Sequence, residues 1–365
     1  MLLACLDCGT RLTLVLGDSY LCETCEKSYP IVNEVPVLVN DPNSFLAKTF
    51  LHNENTIWSQ NNNVRHLDRV MDPKHRRPEI LTRIKNGLLQ NLEYHDKLKK
   101  ALSPFVTKEE IISIIQNKES IAFYHNTLDY LKKDWCWREE EERALELVFK
   151  TLANFVTKYS ELSNENVLVL GAGCGRTAWD LRKIFDDVYA LDLSFCLVSY
   201  FYTLLNENIR FNEIFDKNVY SMQDIVVSHE ASLCAPGTVR KIEDGGFNFF
   251  VGDATRVFLP AESMEVVASI YFSDVIPFRS LLHEAKRVLK AGGLLIHFGP
   301  LGYHFSDPKN NFSAEEIKEI LEHEGFAIME ETFVTAPHTF SNSSLASQQT
   351  FNNWSFVARK TTANS

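Results

Sequence analysis

The run Val167-Leu-Val-Leu-Gly171-Ala-Gly173-Cys-Gly175-Arg-Thr-Ala-Trp179 constrains this chain more than any other stretch. Four consecutive apolar residues describe a strand buried on both faces, and three alternating glycines let the backbone turn tightly and approach a ligand. Ala178, Leu181 and Phe185 then supply the apolar stripe of a helix. A second apolar segment, Val188-Tyr-Ala-Leu-Asp192, ends in an acid whose carboxylate is placed to accept hydrogen bonds from both hydroxyls of a ribose. Together these pieces predict an α/β sheet with a nucleoside cofactor at its carboxyl edge.

The details of the turn separate the cofactors. The dinucleotide pattern G-x-G-x-x-G needs glycine where Arg176 stands, and no Gly-Lys-Ser/Thr follows to cradle a triphosphate. S-adenosylmethionine carries no phosphate, so its loop needs close backbone approach more than an anion nest, and Gly171, Gly173 and Gly175 meet that need. From Asn166 onward the chain alternates as an open α/β sheet requires, with strands read at 167–170, 188–191, 247–251, 266–272 and 294–298. Ser313-Ala-Glu-Glu316 is a capping box that opens a helix ending at Gly325. Residues 326–333 and 354–360 read as two strands with no helix between them, which is consistent with an antiparallel hairpin at the end of the sheet, as in class I methyltransferases. About forty residues between Asn206 and Phe247 are long for one helix and predict an insertion.

A length of 365 residues holds roughly two ordinary domains, and 45% hydrophobic content suffices for a core. No apolar run approaches the ~20 residues of a membrane helix, and Met1-Leu-Leu-Ala-Cys5 lacks the pattern of a signal peptide, so a cytoplasmic location and no membrane partner are expected. The net charge of -11 offers no counterion-release drive toward nucleic acid, which favours small or peptide substrates. Of eight cysteines, four form Cys5-Leu-Asp-Cys8 and Cys22-Glu-Thr-Cys25. Two such knuckles complete a tetrahedral structural Zn2+ site. The organisation expected is a ribbon over 1–40, a polar helical region over 41–160 and the α/β domain over 161–365. In the middle region the run Glu139–Glu142 reads as a solvated helix face, and Trp135-Cys-Trp137 as core or as a lid on the cofactor.

The carboxyl ends of the strands gather the remaining candidates. They are Gly252-Asp253-Ala254 after the third strand and Tyr271-Phe-Ser-Asp274 after the fourth. Asp253 is placed to accept from an adenine amino group, although an acid there also serves as a loop cap.

These residues carry two resemblances. The ribbon, with its cysteine knuckles and the tail Tyr29-Pro-Ile-Val-Asn-Glu-Val-Pro-Val-Leu-Val39, resembles the Trm112-like zinc ribbons, which implies a docking or stabilising appendage of a methyltransferase and a protein partner for it. From about His125 to Lys360 the chain resembles the carnosine N-methyltransferase family. The matching pieces are Lys133-Asp-Trp135, Glu142-Arg143, the glycine turn through Trp179, Gly252-Asp253, Phe272-Ser-Asp274, Leu289-Lys-Ala-Gly-Gly293 and Gly299-Pro-Leu-Gly-Tyr-His-Phe305. The resemblance implies a Rossmann-like class I methyltransferase fold and an S-adenosylmethionine-dependent methyl transfer to an imidazole nitrogen. By position it implies that Asp274 and His304 face the substrate and Tyr271 lines its pocket. Arg143 joins Gly171, Gly173, Gly175, Asp192, Asp253 and Ala254 at the cofactor.

Elementary chemistry agrees with that carry-over. A neutral imidazole has a free lone pair, and a carboxylate accepting its N–H fixes the tautomer that presents the other nitrogen. The chain departs from the carnosine enzymes where tyrosines hold the dipeptide, presenting His338-Thr-Phe340 and Gln349-Thr-Phe351 instead. A histidine-bearing small molecule or peptide and a thiol acceptor therefore both stay open as substrates. An rRNA methyltransferase and a non-catalytic cofactor-binding partner are the remaining alternatives.

Overall fold

Residues Val167 to Leu170 are each at most 1% exposed and alternate between two cores, Val167 and Val169 facing one and Leu168 and Leu170 the other. That alternation is what a strand covered on both faces requires. In the computed structural model, residues 2–16, 18–70, 77–117, 127–215, 219–235, 246–337 and 350–361 are described. The chain begins with β1 (Thr13–Val15), β2 (Ser19–Cys22), β3 (Lys27–Val32) and β4 (Val35–Leu38). The helices α1 (Pro42–Val70), α2 (Pro78–Leu102), α3 (Lys108–Gln116), α4 (Thr127–Trp135) and α5 (Glu139–Tyr159) follow. Then come β5 (Asn166–Leu170), α6 (Arg176–Leu181), β6 (Asp187–Asp192), α7 (Phe195–Asn206), β7 (Ile209–Ile214), β8 (Val226–Ala231) and β9 (Gly246–Gly252). The last elements are β10 (Met264–Ile270), α8 (Phe278–Val288), β11 (Leu289–Gly299), α9 (Ala314–His323), β12 (Phe326–Pro337) and β13 (Thr350–Lys360).

Among the described residues eleven strands form one sheet in the order β1-β2-β3-β4-β9-β6-β5-β10-β11-β13-β12. The pairs from β4 to β11 are parallel, and β13 lies antiparallel between β11 and β12. This is the expected Rossmann-like methyltransferase sheet with its terminal hairpin. Helices α1, α2 and α4 to α7 cover one face, while α8, α9 and the ribbon cover the other. The Ser313 capping box forms, with both reciprocal hydrogen bonds present.

The ribbon joins the sheet rather than standing beside it. β4 pairs parallel with β9, Val37 opposite Val251 and Leu38 opposite Gly252. Leu3, Cys22 and Tyr29 are buried in the same core as Phe258 and Leu259, and the Tyr29 and Phe258 rings meet edge on at 4.7 Å. The insertion between α7 and β9 contains the hairpin β7-β8, a separate two-stranded sheet. Asn91 of α2 ties it down, accepting the Asn212 N–H and donating to its carbonyl, both at 2.8 Å.

One sequence expectation changes here. The run Glu139–Glu142 is not a uniformly solvated face: Glu141 is 1% exposed, and Glu142 turns inward to Arg176. A helix laid on the sheet buries one side whatever its charge, and these two acids fall on that side. Residues His338 to Phe340 and Gln349, at the expected specificity segment, lie outside the described residues. No helix among the described residues is long and apolar enough to cross a membrane.

Candidate functional site

The site is built at the carboxyl ends of β5, β6, β9 and β10. After β5 the chain turns through Gly171 and Gly173 with φ of +62° and +61°, a region costly for residues with a Cβ. Gly171 needs its hydrogen for a second reason. A Cβ there would stand 2.1 Å from the Phe272 ring, so the glycine turn and the segment after β10 are pressed together. The place where a Gly173 Cβ would point opens toward Tyr130 and Asp134, at 3.7 and 3.8 Å.

Three groups hold the turn. Asp192, only 3% exposed at the end of β6, accepts the Gly173 N–H at 3.0 Å through Oδ2 and the Ser194 N–H at 2.8 Å through Oδ1. Burial pushes its carboxyl up to about 6, against the pull of those backbone donors. Asp134, from the end of α4, accepts the Cys174 and Arg176 N–H groups at 3.2 and 3.4 Å. Arg176 spans the gap between helices, bonding Glu142 bidentately at 2.9 and 2.8 Å, the Asp134 carbonyl at 3.0 Å and Asp180 at 3.0 Å. Its guanidinium stacks on Trp137 at 3.9 Å, while Trp135, fully buried, donates to the Cys174 carbonyl at 2.8 Å. The tryptophan pair is thus core that braces the turn. Arginine at the position where dinucleotide folds place glycine has a structural task, which its planar fork suits.

Asp253 follows β9 and accepts from the Thr255 N–H and hydroxyl at 2.8 and 2.7 Å, with Ala254 buried beside it. Asp253 also borders a cavity of about 230 Å³ shared with Leu193. Among the described residues, Arg143 makes no polar contact with the glycine turn. Its side chain is 70% exposed and paired with Glu139, and the guanidinium at the turn is that of Arg176.

On the other side of Phe272, Tyr271 sits at φ +52° with its ring against Phe298 and under the Lys133 ammonium, 4.6 Å from the ring centre. Burial pushes the Tyr271 hydroxyl up to about 12, and burial lowers the Lys133 ammonium. Asp274 is 4% exposed and accepts the Gly302 N–H at 3.1 Å, while its carbonyl accepts the His304 N–H at 3.0 Å. Desolvation raises the Asp274 carboxyl, partly offset by the Gly302 donor and the nearby His304 ring. The His304 side chain is exposed. Segment 299–305 is therefore folded back over Asp274.

The charges of Lys133-Asp-Trp135 have no role that the sequence alone assigns. The signal available was two adjacent opposite charges at the end of a short helix; their place beside the glycine turn is set by the tertiary structure. In the sequence Arg176 shows only as the absence of a glycine. Asn353, fully buried next to Tyr271, carries no sequence signal, because its placement comes from the pairing of β13 with β12, where it stands opposite Val334.

At the other end of the chain the sulfurs of Cys5, Cys8, Cys22 and Cys25 lie within 4.8 Å of one another, with Cys8 to Cys22 at 3.4 Å and Cys5 to Cys25 at 4.0 Å. Four thiolates about 2.3 Å from one tetrahedral zinc would stand about 3.8 Å apart, so the donor set fits that ion.

Residues 111–362 match the family model of carnosine N-methyltransferase. The carnosine N-methyltransferases of Mus musculus and Rattus norvegicus are 24% and 23% identical over 306 residues, covering 77% of this chain and 72% of each relative. The Drosophila melanogaster protein carnosine N-methyltransferase unmet is 25% identical over 257 residues, 64% of this chain and 54% of that protein. With a methyltransferase strand order, a glycine turn braced by a buried acid and a family match over more than half its length, the chain belongs to the carnosine N-methyltransferase family and is an S-adenosylmethionine-dependent methyltransferase.

Proposed function

We propose that this enzyme methylates a ring nitrogen of a histidine-containing small molecule or peptide. S-adenosylmethionine supplies an electrophilic methyl carbon, and the displacement needs an acceptor lone pair in line more than a strong base. A neutral imidazole, predominant at pH 7, has one. The observation that carries the reading is Asp274, a buried carboxylate in the segment that presses Phe272 onto the cofactor turn. A carboxylate has about four lone-pair sites, and the Gly302 donor uses one, so Asp274 retains capacity to accept an imidazole N–H and fix its tautomer. His304 orients the acceptor or takes up the released proton, and Tyr271 lines the acceptor pocket.

On the cofactor side Gly171, Gly173 and Gly175 permit close approach, Asp192 has lone pairs left for the ribose, and Asp253 with Ala254 serves the base. Arg143 leaves this set, and Arg176 enters as a positioning residue that holds the turn. Phe351, on β13 opposite Ala336 of β12, offers no hydroxyl where the resemblance sets a tyrosine of the carnosine enzymes, which favours a histidine-bearing ligand other than carnosine.

We also assign a structural Zn2+ to Cys5, Cys8, Cys22 and Cys25, and a cytoplasmic setting, where thiols stay reduced, suits that site. The docking role expected of the ribbon is met, in our reading, by the chain's own sheet through β4. Incubating the enzyme with isotopically labelled S-adenosylmethionine and a panel of imidazole and thiol compounds tests the function by mass spectrometry. Label on imidazole nitrogen is the expected result. Label confined to thiols, or transfer to RNA alone, overturns it.

A further inference from the structure

The cavity beside Leu193 and Asp253 is walled mainly by residues that precede the family match. Leu6 comes from the ribbon, and Val39, Asn40, Ser44, Phe45 and Lys48 come from the corner where β4 passes into α1. The register that sets Leu38 against Gly252 brings Val39 alongside Asp253. Arg256 then fastens the corner, donating to Asn40 at 3.2 Å and to Asp7 of the ribbon at 3.1 Å. Leu193, next to the ribose acid Asp192, is 48% exposed although its neighbours in β6 are buried.

We propose that this N-terminal corner is the outer wall of the adenine subsite, so that cofactor recognition here depends on residues 39–48 as well as on the part of the chain that matches the family. The inference rests on the cofactor reading given above. Three observations support it. The cavity is lined both by Leu193, one residue past Asp192, and by Asp253, and so lies on the path open to a base whose ribose is held by Asp192. At about 230 Å³ it is smaller than the roughly 300–1,000 Å³ of a pocket for a whole ligand, a size suited to one part of one. Its lining also matches a planar heterocycle, with Leu193, Val39 and Phe45 offering apolar faces and Asn40, Ser44 and Asp253 offering polar groups for ring edges.

Photolabelling of the full-length enzyme with an S-adenosylmethionine analogue carrying an azide on the base reads the wall directly. Cross-links within residues 39–48, displaced by unmodified cofactor, are expected. Displaceable cross-links that never fall there overturn the inference while leaving the cofactor reading intact, whereas absence of any displaceable labelling, with no cofactor binding by calorimetry, defeats that reading itself. As a second measurement, Ser44→Phe should fill the cavity and raise the cofactor Kd at least tenfold with the thermal midpoint little changed. Unaltered affinity in a folded Ser44→Phe protein also overturns the proposal. If that variant does not fold, Asn40→Leu, which removes a polar wall group, is read by the same Kd criterion.

Discussion

The Gly173 N–H donates to Asp192 at 3.0 Å, which ties the cofactor turn after β5 to the acid that ends β6. The carboxylate that we assign to the ribose is thus also the brace of the glycine turn. Removing it should damage both.

This double role predicts opposite pH trends for binding and for stability. Burial raises the folded carboxyl to about 6, above the roughly 3.9 of an unfolded aspartate. Ribose hydroxyls donate best to the ionised form, so cofactor affinity should hold above pH 6 and fall as pH drops below it. The folded state binds the proton more tightly, so this group's contribution to stability is fully present below the unfolded pKa and is lost as pH rises through about 6. Calorimetric titrations from pH 5 to 8 should show the affinity slope in wild type and lose it in Asp192→Asn. Asp192→Ala should weaken binding by roughly 1.5–3 kcal/mol, the range for hydrogen bonds to a charged group.

Gly171→Ala should be costly out of proportion to one methyl group. The left-handed backbone costs roughly 1–2 kcal/mol, and the clash with Phe272 adds an overpacking cost of about 1–3 kcal/mol. Gly292→Ala is the control, because φ there is +76° but nothing lies within 4 Å of the new methyl. Chemical denaturation should rank Gly171→Ala well below Gly292→Ala, with part of the loss recovered when Phe272→Leu is added.

For the acceptor side, Asp274→Asn should leave cofactor affinity unchanged while lowering turnover by about 10² or more, since it removes orientation rather than cofactor contacts. An imidazole acceptor should give a rate that levels off once its ring is neutral, whereas a thiol acceptor should give one that climbs through pH 8 to 9. Steady-state kinetics with the identified substrate separate the two.

The ribbon should bind one zinc per chain, measurable by elemental analysis of the purified protein. Because β4 is part of the sheet and the ribbon shares the core around Phe258, Cys22→Ser should lower the thermal midpoint of the whole enzyme rather than release a detachable module. A zinc-free protein of normal stability would count against the assignment.

Much of this architecture was legible in the sequence because it rests on local rules. Period-two and unbroken apolar runs marked the strands of the sheet, the paired cysteine spacings marked the ribbon, and Ser313 with Glu316 marked a helix start. Glycines at 171 and 173 announced a positive-φ turn that other residues adopt at a cost. Tertiary structure decided what those signals leave open. It turned Glu142 from a surface charge into the partner of Arg176, left Arg143 on the exposed face of the same helix, and placed Asp134 on the turn. It also laid β4 against β9, so that the corner after the ribbon borders the strand ends near Asp192. Helix rotation and strand order are set by which faces pack together across long sequence separations, and local periodicity identifies a buried face without naming the surface that buries it.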